Sequence, residues 1–207
     1  MSEHILLLHG LWMRGFTLLP LKRRLAAAGY IVHIGDYASV TRGVDDSVAR
    51  LVECARRWRA PRLHLIGHSL GGLIALKMLQ QAPDLRYGNV VCLGTPLRGS
   101  AAARGLAKLP GGRRFLGKNH HVLQQGLPEW RSPYPLGMIA GRVPVGIGAL
   151  LAPIALPHDG TVSLAETEWP GLTDHCVVSS THTGLVFSRH VADQIIAFLQ
   201  NARFTHA

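Results

Sequence analysis

One serine in the chain stands between glycines in a spacing typical of an activated nucleophile. The segment HLIGHSLGGL, residues 64–73, holds Ser69 in a G-x-S-x-G arrangement. With 23 glycines among 207 residues, the same arrangement also arises by chance as a glycine-rich turn. A serine hydroxyl is a weak nucleophile unless a base removes its proton and a third group orients that base. The surrounding elements and the partner residues therefore decide the interpretation.

The residues around Ser69 predict a strand, a tight bend and a helix. Leu63–Ile66 is a short apolar run, and Leu70–Gln81 has helical spacing. A side chain on this bend points out of the sheet, close to a helix N-terminus that favours negative charge. Gly67 and Gly71 leave no Cβ to collide across the bend. We therefore predict that Ser69 is a nucleophile.

A base has to be chosen from twelve histidines. His182 follows the predicted strand Cys176–Ser179 and precedes the closing helix, so we expect it to reach Ser69. We expect His175 at the opposite edge of the sheet and His190 on the surface. His120 and His121 either approach the site or lie in an exposed loop, and their pairing favours the loop.

The predicted acid is Asp159, in the tight turn LPHDGTVS that follows the predicted strand Leu136–Ala140. Asp174 begins the last strand and so lies at the wrong end of the sheet. Glu166 and Glu168 are the nearby alternative for the acid, but they are better interpreted as part of a solvated helix or turn face.

An ester-cleaving serine also needs two backbone N–H groups that stabilise an oxyanion. Leu70, directly after the serine, is expected to supply one. Leu11, in the loop after the first strand, is expected to supply the other. The alternative for the His9-Gly10 pair before Leu11 is an ordinary strand-ending turn.

Strand-like and helix-like segments alternate along the chain, which predicts one α/β domain over residues 1–207 with a parallel sheet covered on both faces. The predicted strands are His4–Leu8, Tyr30–Ile34, Leu63–Ile66, Asn89–Leu93, Leu136–Ala140 and Cys176–Ser179. The predicted helices are Thr17–Ala28, Asp45–Trp58, Leu70–Gln81 and Val191–Leu199. The region from Gly99 to Pro135 is predicted to be irregular and to lie over one end of the sheet.

Five segments together resemble the α/β-hydrolase superfamily, in particular small lidless bacterial lipases and esterases. They are LLLHGLW at 6–12, LIGHSLGG at 65–72, CLGTPLRGS at 92–100, HDGTV at 158–162 and THTGL at 181–185. The resemblance implies the α/β-hydrolase fold, with a central, mostly parallel sheet of about six strands, helices on both faces and a minimal cap. It also implies a Ser69, His182 and Asp159 triad, an oxyanion hole at Leu11 and Leu70, and neither metal nor cofactor.

The substrate predicted from this resemblance is a carboxylic ester with an apolar acyl chain. The uncharged stretch VPVGIGALLAPIALP, residues 143–157, is interpreted either as an acyl-pocket wall or mobile flap, or as a buried loop. The predicted substrate-contacting residues are Trp12, Leu97, Leu150, Leu151 and Ile154. A thioesterase or acyltransferase on the same triad, and a binding protein without catalysis, stay open as alternatives.

Charge is unevenly distributed in a chain of formal net charge +10. No Asp or Glu occurs from Leu85 to Pro128, so the region Arg86–Lys118 is predicted either to contact anionic lipid or to be an ordinary solvated surface. Few aromatic residues interleave with these bases, which disfavours nucleic-acid binding.

The remaining sequence features concern the thiols and the location of the protein. Cys54, Cys92 and Cys176 are predicted to be buried free thiols. The chain shows neither a basic leader nor an apolar run long enough to span a bilayer, so a cytoplasmic location is expected.

Overall fold

The computed structural model describes residues 2–128, 132–146, 148–151 and 153–206, without the side chains of Leu150 and Leu151. Within these ranges six parallel strands form one sheet in the order β2-β1-β3-β4-β5-β6. The strands are β1 (His4–Leu8), β2 (Ile31–Gly35), β3 (Leu63–His68), β4 (Tyr87–Leu93), β5 (Leu136–Gly141) and β6 (Asp174–Val178).

The strand order creates a crevice beside β1. The chain places β2 on one side of β1 and then crosses to place β3 on the other. Leu8 at the end of β1 is therefore in register with both Gly35 and Gly67. At such a switch point the loops after neighbouring strands separate, and ligands of open α/β sheets bind there.

Nine helices accompany the strands within the described ranges. They are α1 (Leu19–Ala27), α2 (Val44–Trp58), α3 (Leu70–Gln81), α4 (Ala101–Lys108), α5 (Gly112–Leu116), α6 (His120–Gln125), α7 (Gly148–Leu151), α8 (Leu164–Thr167) and α9 (Arg189–Asn201). Short 3-10 turns occupy Gly15–Leu18, Gly117–Asn119 and Thr183–Val186.

Helices cover both faces of the sheet, which explains why the sequence of β1 is a continuous apolar run. Leu6 and Leu8 belong to the core under α2 and α3, whereas Ile5 and Leu7 belong to the core under α1 and α9. All four side chains are fully buried. The predicted two-sided α/β architecture is confirmed.

The predicted strands and long helices are confirmed with shifts of a few residues at their ends. Helix α1 begins at Leu19 rather than at Thr17, because a 3-10 turn precedes it and Pro20 occupies its first turn. Strand β6 begins at Asp174 rather than at Cys176. Cys92 and Cys176 are buried free thiols, but the prediction was wrong for Cys54, which is exposed on α2.

The prediction that Gly99–Pro135 is irregular was wrong, because this region contains α4, α5 and α6. These helices have eight, five and six residues, too few for an apolar period to show in the sequence. Ser100 was the overlooked signal, since its Oγ accepts the N–H of Ala103 and caps α4.

Candidate active site

Ser69 lies on a sharp bend between β3 and α3. Its φ of 52° is in the left-handed region, which costs a residue with a side chain about 1–3 kcal/mol. Its N–H donates to the Leu93 carbonyl at 2.9 Å. A Cβ on Gly67 would come within 2.4 Å of the Gly71 carbonyl carbon. The predicted steric role of these glycines is confirmed, and the packing holds the serine in its strained conformation.

Asp159 and His182 meet beyond the ends of β5 and β6. His182 Nδ1 lies 2.7 Å from Asp159 Oδ2, and the N–H groups of Thr161 and Val162 donate to Oδ1 at 2.9 and 2.8 Å. Asp159 is 1% exposed. Burial opposes its ionisation, but His182 and the two N–H groups outweigh burial and lower the pKa of Asp159.

The position of His182 is set by three hydrogen bonds. Besides the Asp159 carboxylate, its N–H donates to the Asp159 carbonyl at 2.8 Å, and its carbonyl lies 3.0 Å from His68 Nε2. Because Nδ1 donates to a carboxylate, the free lone pair of neutral His182 is on Nε2. Ser69 and His182 line one cavity, although no hydrogen bond joins their side chains among the described residues.

His68 is a site residue that sequence reasoning missed. It ends β3 directly before the serine and is 2% exposed. Burial, assisted by the neighbouring His182, lowers the pKa of His68 to about 3. The ring is therefore neutral. Because a carbonyl oxygen can only accept, Nε2 of His68 carries the proton and donates a hydrogen bond to the His182 carbonyl. The buried Nδ1 of His68 has no hydrogen-bond partner in the described part of the chain.

Gly94, directly after β4, packs beneath the Asp159–His182 pair. Its φ is +54°, and a Cβ there would lie 3.1 Å from both Asp159 Oδ2 and His182 Nδ1. It would also come within 2.9 Å of Leu185. The absence of a side chain at residue 94 thus leaves room for the short carboxylate–imidazole contact.

The loop after β1 is held by the loop after β2. His9 is fully buried, stacks on Tyr37 at a ring distance of 4.2 Å, and places Nε2 3.1 Å from Asp36 Oδ1. The Tyr37 hydroxyl donates to the His9 carbonyl, and the Trp12 N–H donates to Ser39 Oγ at 3.1 Å. The segment that carries Leu11 is thereby fixed.

Leu11 and Leu70 have the surroundings expected of oxyanion-hole residues. Leu11 lines the same cavity as Ser69, and Leu70 is the first residue of α3, where a backbone N–H has no intrahelical acceptor. Among the described residues, neither N–H donates to a protein acceptor.

The cavity above Ser69 has a volume of about 300 Å³. Its polar end is lined by Ser69, Thr161, His182 and Thr183. Its apolar side is formed mainly by the short helices after β4, with Ala102, Ala103, Leu106, Phe115, Leu116 and Leu123. These helices were the part of the fold that the sequence did not predict.

The predicted substrate-contacting residues have different positions. Trp12 lines the cavity, whereas Leu97 is 1% exposed in the core and does not; its neighbour Pro96 does. Ile154 is half-buried outside the cavity lining. The side chains of Leu150 and Leu151 lie outside the described residues.

Between residues 143 and 157, most of the described side chains are exposed, and Gly148 lines the cavity. The backbone of α7 is tied to the Asp159 turn by a hydrogen bond from the Ala149 N–H to the Gly160 carbonyl at 3.0 Å. Val145 and Leu156 are 66% and 78% exposed. The buried-loop interpretation is therefore wrong for the described part, while motion as a flap stays a prediction.

Glu166 was wrongly predicted to lie on a solvated face. It is 8% exposed and forms a capping box with Ser163 at the start of α8. The same carboxylate accepts the Ala101 N–H at the start of α4 and lies 3.5 Å from Arg104 Nη2. Glu166 thus ties α4, part of the apolar wall, to the segment that follows Asp159.

The competing titratable residues lie away from Ser69. In β6, His175 contacts Thr167 Oγ1 at 2.9 Å, and Asp174 accepts the Phe204 N–H at 2.8 Å. His190 is exposed at the start of α9, as predicted. His120 and His121 begin α6, so their assignment to a loop was wrong.

The described residues can also be compared with what a metal site and a membrane-spanning helix require. No cluster of three or more His, Cys, Asp or Glu within them is placed to hold a metal ion. No helix in the described ranges is long and apolar enough to cross a bilayer. Contact of the Arg86–Lys118 region with anionic lipid stays a prediction.

The protein belongs to the alpha/beta hydrolase family, whose model matches residues 5–207. No curated protein matches the sequence. Among solved structures, the mature lipase BlEst2 of Bacillus licheniformis is similar, with a TM-score of 0.76 and 16% identity over 97% of this chain and 92% of that chain.

Two esterases have related folds. The metagenomic carboxyl esterase MGS0156 has a TM-score of 0.68 and 19% identity, over 87% of this chain and 64% of that chain. The carboxylesterase CesB of Bacillus subtilis has a TM-score of 0.61 and 14% identity, over 97% and 84%. At these identities the likeness concerns the fold.

Proposed function

We propose that the protein is a serine hydrolase that cleaves carboxylic esters through Ser69, His182 and Asp159. The observation that carries the proposal is the 2.7 Å contact between His182 and buried Asp159, on a histidine that lines the same cavity as a strained serine. An oriented base that shares a cavity with a serine hydroxyl is the arrangement from which serine is activated.

The proposed reaction has two steps. His182 Nε2 takes the proton of Ser69 as Oγ attacks the ester carbonyl, and the N–H groups of Leu11 and Leu70 stabilise the oxyanion. The tetrahedral intermediate collapses, and His182 protonates the departing alcohol. Water activated by the same histidine then releases the acid from the acyl-enzyme. Asp159 orients His182 and stabilises its protonated form.

The apolar side of the cavity supports an apolar acyl group. The leucines from α4, α5 and α6 offer a surface for a hydrocarbon chain but no charged partner at the wall itself. Esterase and lipase activity among proteins of similar fold supports the same substrate class.

Hydrolysis of p-nitrophenyl esters of increasing chain length tests the proposal. We expect turnover that Ser69→Ala abolishes, with an optimum longer than acetyl. An optimum at acetyl would remove the apolar-chain part and leave the esterase. A folded protein that binds these esters without turnover would instead favour the non-catalytic alternative.

A thioesterase or acyltransferase would use the same acyl-enzyme. Acyl thioesters and added alcohol acceptors in the same assay distinguish these activities, because the acyl group then leaves a thiol or appears on the acceptor. Faster turnover of the thioester, or transfer that exceeds hydrolysis, would replace the esterase assignment.

A further inference from the structure

A second, larger opening adjoins the active cavity. It has a volume of about 740 Å³ and shares Trp12 and Phe115 with the cavity, so these two side chains form the partition between them. Its other lining residues are Val40, Thr41, Gly111, Arg113, Arg114, Gly117, Lys118 and His120. We call this opening the basic cleft.

The basic cleft carries positive charge without compensating carboxylates on its own side. Arg113 and Arg114 are exposed, and among the described residues no carboxylate lies within salt-bridge distance of either. Lys118 also lines a neighbouring opening that contains Asp45 and Asp46, so the two arginines carry the argument.

His120 reports the sign of the local potential. Partial burial lowers its pKa, and the positive charges of His121 and Arg113 lower it further. A position where a proton binds less readily because of neighbouring cations is one where an anion is stabilised.

Hydrogen bonds between the two sides give the cleft a fixed frame. Trp12 Nε1 donates to the Phe115 carbonyl at 3.0 Å, and the two rings are 4.9 Å apart. The Lys118 N–H donates to the Val40 carbonyl at 3.0 Å, and both residues line the cleft. Hydrogen bonds within the fold therefore hold both the partition and the lining of the cleft.

The mechanism indicates which part of a substrate points towards the cleft. The leaving-group oxygen has to lie near His182, which protonates it, and we place the acyl chain along the apolar lining of the cavity. Leu106 and Leu116 belong to that lining, and Phe115 and Trp12 line both the cavity and the basic cleft.

Resting on the proposed esterase activity, we propose that the basic cleft binds an anionic group at the far end of the substrate's acyl chain. The ester carbonyl then lies at Ser69, the chain passes along Trp12 and Phe115, which line both openings, and Arg113 and Arg114 bind a carboxylate or phosphate. A soluble ester and a lipid headgroup both present this chemistry.

Matched substrates test the inference. At low ionic strength, kcat/KM is measured for 4-nitrophenyl monoesters of dicarboxylic acids and for neutral 4-nitrophenyl alkanoates of equal length, over a series of chain lengths. We expect the anionic ester to be preferred by about tenfold at one span of lengths, as two exposed ion pairs would give. Salt should weaken this preference.

Two double variants distinguish binding in the basic cleft from an effect of the net charge of the protein. Arg113→Gln/Arg114→Gln should bring the anionic-to-neutral ratio to about one. The control Arg23→Gln/Arg203→Gln removes the same charge from exposed positions on α1 and after α9, and should keep the wild-type ratio. A ratio of one in the wild type at every length, or an equal fall in the control, would overturn the proposal.

A binding experiment tests the anion site without requiring turnover. Calorimetry with monomeric decyl phosphate on Ser69→Ala should show binding that the Arg113→Gln/Arg114→Gln pair weakens about tenfold. If phosphatidylglycerol vesicles bind but no monomeric anion does, the charge belongs to a membrane-facing surface and the subsite is wrong. If neutral esters are not hydrolysed while decyl phosphate binds as described, the proposed function fails and the anion site stands.

Discussion

The two halves of the site are held by different means. The chemical half, with Ser69, Asp159 and His182, stands on strand ends and is fixed by short hydrogen bonds in a buried setting. The wall half is built from α4, α5 and α6, with Gly148 beside them, and is held in place at a few positions such as Glu166. We infer that the first half determines whether a bond is cleaved and the second which substrate is cleaved.

Removing the charge of Asp159 should give the largest effect. In Asp159→Asn, an NH2 group replaces one of the two accepting oxygens. The side chain then cannot accept both from His182 Nδ1 and from the backbone N–H groups that Asp159 binds, so His182 loses its orientation and its charge stabilisation. We expect kcat for an ester to fall by about 10³- to 10⁴-fold.

Asp174→Asn is the matched control, since Asp174 also accepts backbone N–H groups but at the other end of the sheet. Equal losses of kcat in the two variants, measured on folded protein, would remove the distinction between the halves.

Gly94→Ala should be the next strongest change. The new Cβ would crowd Asp159 Oδ2 and His182 Nδ1 at 3.1 Å. We expect kcat to fall by about 10- to 100-fold through misplacement of the pair. Gly29→Ala also places a side chain at a positive φ, of +98°, but with nothing within 4 Å of the new Cβ, so it should lower stability without lowering kcat.

Protonation of His68 should make the free energy of unfolding depend on pH. Its folded pKa, about 3, is far below the unfolded value of about 6.5, so the unfolded chain takes up the proton first as the pH falls. Between pH 7.5 and pH 5 this should cost the native state about 2 kcal/mol.

Urea unfolding at both pH values measures this cost. His68→Gln should be less stable at pH 7.5 but should show a smaller loss on acidification, whereas exposed His190→Gln should keep the wild-type pH slope. Parallel slopes for His68→Gln and the wild type would show that His68 is not buried in its neutral form.

A change in the wall should have the smallest effect on chemistry. Leu106→Ala removes apolar surface from the cavity, so kcat/KM for long-chain esters should change several-fold relative to short ones. Leu109→Ala, just after α4 and 49% exposed, should leave the chain-length profile as it is. A shift of the same size for both would mean that α4 does not select the acyl chain.

The elements that carry Ser69, Asp159 and His182 could be predicted from the sequence for a physical reason. Strand, bend and helix around Ser69 follow from short apolar runs and glycine, and parallel strands bring the residues after them to one edge. His68 escaped prediction because its role depends on a carbonyl 114 positions away in sequence.

The wall half was beyond sequence reasoning because its elements are short. Helix α5 has five residues and α6 has six, which shows no period. Leu97 was predicted to line the cavity, but it is buried in the core, and its neighbour Pro96 lines the cavity instead. Glu166 looked solvated because its partners, Ala101 and Arg104, come from a distant helix.

Activation of Ser69 by His182 is tested most directly by covalent labelling. The wild type, Ser69→Ala and His182→Ala are treated with a fluorophosphonate probe, and the modified peptide is located by mass spectrometry. We predict rapid labelling of the peptide that contains Ser69, none in Ser69→Ala, and a large fall in rate in His182→Ala. Labelling at another residue, or at an unchanged rate without His182, would contradict the account.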